Sequence, residues 1–185
     1  MVDSWGLKKH RSHLTHEPHC RWGGRCTITS MAHQAKVLTV SESVSAGTKE
    51  DRSGEALVST LSAQDFRVVD RLTVPDGMVP VAGALTTLAA GFGGLVITTG
   101  GTGFSPNDLT PEATRSVLER EAPGLAEAMR AASPLGRLSR GIAGTVGSCL
   151  IVNVPGSPEG AVESLEAILD IVPHALELLA GGHPH

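Results

Sequence analysis

The chain has 185 residues and a formal net charge of −4, with 41% hydrophobic and 18% charged content, a balance that excludes wholesale disorder, collagen and coiled coil. Its length predicts one domain, typically about 100–200 residues, and no apolar run approaches the roughly 20 residues that span a bilayer. With 3% aromatic residues and an acidic balance, neither a basic patch nor a stacking platform for nucleic acid is expected.

Charge marks a boundary near residue 35. Residues 1–35 carry five basic side chains against Asp3 and Glu17, whereas residues 36–185 carry ten basic and seventeen acidic ones. The first segment also holds both tryptophans (Trp5, Trp22), two of the three cysteines (Cys20, Cys26) and no sustained periodicity of 2 or 3.6, so it is expected to form no packed element. His16, His19, Cys20 and Cys26 lack the paired spacing of a structural zinc site. Residues 1–35 therefore read as a disordered leader, its residues 1–30 dispensable for catalysis, with Met31 a suitable start for the body. An odd cysteine count, with Cys149 alone in the body, argues against a disulfide framework and for a reducing cytoplasm.

From Lys36 the pattern changes. Val37-Leu38-Thr39-Val40 predicts a buried strand, followed by a loop from Ser41 to Asp51. Ser53-Gly54-Glu55 opens a helix with Leu57 and Leu61 on one face. A second strand runs from Phe66 to Val74, a turn follows at Pro75-Asp76-Gly77, and the alanine-rich stretch 78–90 predicts a helix packed on a sheet. Leu95-Val96-Ile97 reads as a strand buried on both faces. Strands and helices alternating at this spacing imply βαβ units. The expected fold is α/β, a three-layer sandwich with a mostly parallel central sheet flanked by helices.

The third strand runs into Thr99-Gly100-Gly101-Thr102-Gly103-Phe104-Ser105-Pro106-Asn107-Asp108-Leu109-Thr110-Pro111-Glu112. Ligands in open α/β sheets sit beyond the carboxyl ends of strands, and three glycines in four positions let several N–H groups converge on one anion. No Gly-Lys-Ser/Thr follows, so the loop is not a Walker A motif, and Pro106 takes the third glycine position of G-x-G-x-x-G. Thr110 is expected to cap the next helix, with Pro111 at its first position and Glu112 in its first turn. Asp108, at the mouth of the loop, would repel a bound phosphate unless a divalent cation such as Mg²⁺ lay between them.

A second strand end has the same character. Ser148 to Val154 reads as a buried strand ending in Pro155-Gly156-Ser157-Pro158-Glu159. Ser157 is expected to cap a helix with Pro158 at its first position, and its free N–H groups suit an anion. Val162, Leu165, Ile168 and Leu169 fall on one stripe of that helix.

Four ordered blocks carry a family resemblance: Ser41 to Gly54, Val74-Pro75-Asp76, Thr99 to Ala113 (T-G-G-T-G-F-S-P-N-D-L-T-P-E-A), and Leu138 to Pro158. Over about residues 36–180 the chain resembles the MogA/MoaB family of molybdenum-cofactor biosynthesis proteins, which includes the G domain of gephyrin. The resemblance implies that residues 36–185 form a molybdopterin-binding domain. It implies molybdopterin adenylyltransferase activity, the transfer of AMP from Mg-ATP to the terminal phosphate of molybdopterin. A non-catalytic MoaB-like binding or assembly protein is the alternative.

The family's two essential aspartates fall on Asp76 and Asp108, which the resemblance assigns to catalysis and to Mg²⁺. Its phosphate-binding glycine loop falls on Gly100, Gly101, Thr102 and Gly103. Its pterin-side loops fall on Ser139 and Arg140 and on Pro155, Gly156, Ser157 and Pro158, with Arg140 expected to hold the molybdopterin phosphate as a fork. Glu42 stands where the family usually has aspartate and is left out of the site. A homotrimer is also implied, as is a separate MoeA-like molybdenum insertase, because no insertase domain is fused to the chain.

Overall fold

The computed structural model describes residues 32–182; the expectations for Trp5, Trp22, Cys20, Cys26 and the rest of the leader up to Met31 lie outside them. The first strand, β1 (His33–Val40), starts four residues before the expected Val37, and Ala35 is fully buried opposite Leu95. The sheet thus begins inside the segment that charge alone assigned to the leader.

Two helices follow, α1 (Glu42–Ser45) and α2 (Arg52–Ala63), then β2 (Phe66–Val74). After these come α3 (Met78–Ala89), β3 (Leu95–Thr99), α4 (Thr110–Val117) and a two-residue β4 (Arg120–Glu121). The chain continues through α5 (Pro123–Ala131), a 3₁₀ turn (Pro134–Leu138), β5 (Ala143–Val146) and β6 (Cys149–Val154). It closes with α6 (Pro158–Glu166) and α7 (Val172–Leu179). Among the described residues no helix is long and apolar enough to cross a membrane.

The six strands form one sheet in the order β2-β1-β3-β6-β5-β4. β2, β1, β3 and β6 are parallel, with Val37 beside Ile97 and Ile97 beside Val152. β5 and β4 extend the sheet antiparallel. Every residue of β3 is buried, as a central strand covered on both faces requires. Leu57, Leu61, Ala126, Met129, Leu165 and Val172 from α2, α5, α6 and α7 cover one face. Val81, Leu85, Leu88 and Ala113 from α3 and α4 cover the other. Removing each large side chain from water contributes about 1.5–3 kcal/mol.

One polar residue interrupts the apolar run of β6. Asn153 is 2% exposed, and its Nδ2 donates to the hydroxyls of Thr98 and Thr114, both at 2.9 Å, while its Oδ1 accepts the N–H of Ile142 at 3.1 Å. A buried amide satisfied on both ends specifies one packing; here it ties β6 to α4, to β3 and to the segment just before β5.

Cys149 is fully buried, and burial pushes its thiol pKa up to about 12. Thiolate, not thiol, is the nucleophile. Iodoacetamide at pH 8 is therefore expected to leave Cys149 unmodified in the folded protein and to alkylate it once guanidinium unfolds the chain. Peptide mass spectrometry checks this; fast native labelling would show that β6 opens.

Candidate functional site

β1, β2, β3 and β6 run parallel, so their C-terminal residues Val40, Val74, Thr99 and Val154 lie along one edge. The order of the chain reverses direction at β1 and β3, the crevice where such sheets bind ligands.

The glycine loop is built at that crevice by close backbone approaches. Gly100 has φ +100°, and a Cβ there would stand 2.2 Å from the carbonyl oxygen of Val40; Gly101 has φ +63°. Thr110 does not cap α4 as expected. It is the first helical residue, and its hydroxyl donates to Gly100 O at 2.9 Å, while its N–H donates to Gly101 O at 3.1 Å. An N-cap side chain accepts an N–H of the first turn from the position before the helix; Thr110 lies one residue too late for that, and its hydroxyl proton ties the loop to the helix start instead.

Asp108 closes the loop. Its Oδ2 accepts the N–H of Ser105 at 2.8 Å, and its own N–H donates to Ser105 O at 2.9 Å. Behind it lies Arg140. The expected free fork is not what the structure shows, because the guanidinium is committed to the loop. Nε donates to Gly103 O at 2.7 Å, Nη1 to the Glu112 carboxylate and Nη2 to Asp108 O. Burial raises the pKa of Glu112, but the Arg140 hydrogen bond, a backbone amide and the charges of Arg140 and Arg115 outweigh it, and the carboxyl is held below its ordinary 4.5.

Asp76 sits in the loop after β2. Its Oδ2 accepts the N–H of Glu42 at 2.9 Å, so Glu42 meets the site through its main chain and Asp76 braces the first turn of α1. A further aspartate escaped the sequence reading. Asp51 caps α2, with Oδ1 accepting Gly54 N–H at 2.9 Å and Oδ2 accepting from Thr39 at 2.8 Å and Arg71 at 3.2 Å. Asp51 directly before the helical stretch carried that signal, since aspartate is a favoured N-cap residue.

The loop after β6 rests directly on the glycine loop. Thr99 donates its hydroxyl to Pro155 O at 2.7 Å, and a Cβ on Gly156 would lie 3.1 Å from the Cα of Gly100. Ser157 occupies the N-cap of α6 as expected, but its side chain makes no cap hydrogen bond.

Two cavities flank this contact and share Gly101 and Gly156 as a wall. The wider, of about 640 Å³, is lined by Thr102, Gly103, Asp108, Ser139, Pro155 and Ser157 besides those glycines. The narrower, of about 340 Å³, is lined by Asp76, Asp51, Gly100, Ser41 and Ser43. Apart from Arg140, every residue expected at the site therefore faces one cavity or the other, and the two aspartates face different ones. Among the described residues, the N–H groups of Gly101, Thr102, Gly103 and Gly156 have no protein acceptor. They form a cradle for anions. Each of Asp76 and Asp108 keeps a second oxygen with no protein donor among the described residues. No three His, Cys, Asp or Glu side chains among the described residues converge on one point. One or two carboxylates completed by substrate phosphates is the donor set that Mg²⁺ takes, and these residues fit it.

Residues 36–174 match the family model described as "Probable molybdopterin binding domain". The chain is 36% identical over 154 residues to the molybdopterin adenylyltransferase of Helicobacter pylori strain J99, covering 80% of this chain and 88% of that relative. It is 29% identical over 166 residues to a molybdenum cofactor biosynthesis bifunctional protein of Chlorobaculum tepidum, covering 87% of this chain and 53% of that one. Among solved structures, the molybdopterin biosynthesis enzyme MoaB of Thermus thermophilus superposes with a TM-score of 0.77 at 44% identity, covering 80% of this chain and 97% of that one.

Proposed function

The chain belongs to the family of molybdopterin-binding domains matched by its residues 36–174, and from that premise we propose that it is a molybdopterin adenylyltransferase of molybdenum-cofactor biosynthesis. The observation that carries this reading is the pair of cavities meeting at Gly101 and Gly156, with an aspartate in each. Two phosphorylated substrates need such a meeting place. Molybdopterin takes the wider cavity, against Ser139, Pro155 and Ser157, and the ATP phosphates lie along the N–H groups of Gly101 to Gly103.

A terminal phosphate oxygen of molybdopterin attacks the α-phosphorus of ATP, and the bond from that phosphorus to the pyrophosphate oxygen breaks. The chain's task is alignment of two anions more than covalent chemistry. Backbone N–H groups around Gly101 and Gly156 offset the charge that gathers where the phosphates meet. Asp108 and Asp76 would hold Mg²⁺, which when bound neutralises phosphate charge and favours departure of pyrophosphate.

The chain works in the cytoplasm as a homotrimer, with residues 1–30 dispensable, and hands its product to a separate MoeA-like insertase. The Chlorobaculum relative, of which the match covers 53%, supports a partner activity of that kind. Light scattering at micromolar concentration is expected to give the trimer mass; a clean monomer refutes it. The purified protein with Mg-ATP and molybdopterin is expected to yield adenylylated molybdopterin and pyrophosphate. Binding of molybdopterin without product would place the chain among non-catalytic MoaB-like proteins instead.

A further inference from the structure

The structure assigns Arg140 the role of a positioning residue that holds the glycine loop and Asp108 in the reactive arrangement, rather than that of a ligand for substrate. This inference rests on the adenylyltransferase reading. Four bonds from one residue tie the segment before β5 to the loop. The N–H of Arg140 donates to Thr102 O at 2.9 Å, and the guanidinium donates to Gly103 O, Asp108 O and the Glu112 carboxylate. The acceptors straddle the exposed stretch Phe104 to Asn107. The loop's own bonds join only near neighbours, Ser105 with Asp108 and Asn107 with Leu109, apart from the Thr110 anchor at Gly100 and Gly101.

The Arg140–Glu112 pair is about one third exposed on each side, so its charge attraction alone is a small stabilising effect. Its geometry matters more. A planar guanidinium meets three acceptors set at fixed angles, which a single-point ammonium cannot reproduce. The Phe104 ring lies 6.0 Å from the guanidinium carbon, so the loop's exposed tip also leans on Arg140. Arg140 lines neither cavity; it acts from behind, through Asp108 and the carbonyls that aim the loop's N–H groups forward.

The test pairs kinetics with amide hydrogen exchange in the full chain. Arg140→Ala is expected to lower kcat about 100-fold, the cost of a displacement near 1 Å at a reacting centre. KM and the binding constant for molybdopterin should stay within about threefold of the parent. Amides of residues 103–108 should exchange at least about tenfold faster, with those of β3 and β6 unchanged. Arg140→Lys should restore only part of the loss. A rise in KM and Kd for molybdopterin at unchanged kcat would make Arg140 a ligand and overturn the proposal, as would loop exchange equal to that of the parent. If the parent protein forms no adenylylated product, the functional reading fails, while the exchange comparison still decides the role of Arg140.

Discussion

Asp108→Asn is expected to cut formation of adenylylated molybdopterin by about 10²–10³-fold while molybdopterin still binds. The substitution is nearly isosteric. An asparagine Oδ1 can still accept the N–H that Ser105 now gives to Asp108 Oδ2 at 2.8 Å, so the loop keeps its turn. What disappears is the negative charge on the oxygen that no protein donor occupies, the hard ligand a divalent cation needs. The surfaces offered to the pterin by Ser139, Pro155 and Ser157 are separate side chains of the same cavity and are not altered. Turnover and molybdopterin binding, measured on the same preparation, check the split. Near-normal product formation with Mg-ATP would remove Asp108 from the chemistry.

The second large effect is on stability. Gly100→Ala places a Cβ 2.2 Å from Val40 O on a residue at φ +100°. The obstacle is backbone at the end of an inner strand and cannot swing aside as a side-chain tip does. Backbone strain of this kind costs about 1–3 kcal/mol before any clash is counted. A loss of about 3 kcal/mol or more is therefore expected, which lowers Tm by roughly 6–12 °C in a domain of this size. Gly47→Ala is the matched control, because Gly47 has φ +71° with nothing within 4 Å of the added carbon. It should lose only about 1–2 kcal/mol, the left-handed penalty itself. Equal melting temperatures for the two variants would mean that the loop gives way, and with it the idea of a rigid cradle.

The parallel half of the fold was legible because buried parallel strands must be short, apolar and β-branched. Val37 to Val40, Leu95 to Ile97 and Cys149 to Val154 carry no polar side chain except Thr39 and Asn153. The antiparallel edge was not legible: β4 is two exposed residues, Arg120 and Glu121, too few for a period. α1 was read as loop because four residues are too few for a helical period, although Ser41 caps it locally by accepting the N–H of Val44 and Asp76 braces it from a distant segment.

At the site, glycines and aspartates announced a loop that binds anions, since few other purposes bring them together at a strand end. Partners of polar side chains were harder. Thr110 looked like a helix cap because threonine before proline is a frequent local solution, and Arg140 like a substrate fork because the family resemblance put it in a pterin-side loop. Folding brought carbonyls of the glycine loop up to the donors of both residues, Gly100 O to the Thr110 hydroxyl and Gly103 O to Arg140 Nε. Asp51 was passed over for the opposite reason: its capping role is visible locally, but Thr39 and Arg71, which place it beside the narrow cavity, come from β1 and β2.

The contact between Gly156 and Gly100 reaches past its own neighbourhood. The wall between the two cavities is main chain against main chain, 3.1 Å from a Cβ that is not there. No side chain stands in it, so no ordinary substitution can thin it, and a bulkier residue can only push the two loops apart. The separation of the two cavities across it is thus a dimension of the backbone, set once by the sheet. Drift in sequence can reshape the rims at Ser139, Leu135 or Ser43 and change which molecule is admitted, yet it leaves the interval between the partners untouched. A scaffold of this kind can change its clientele without changing its chemistry.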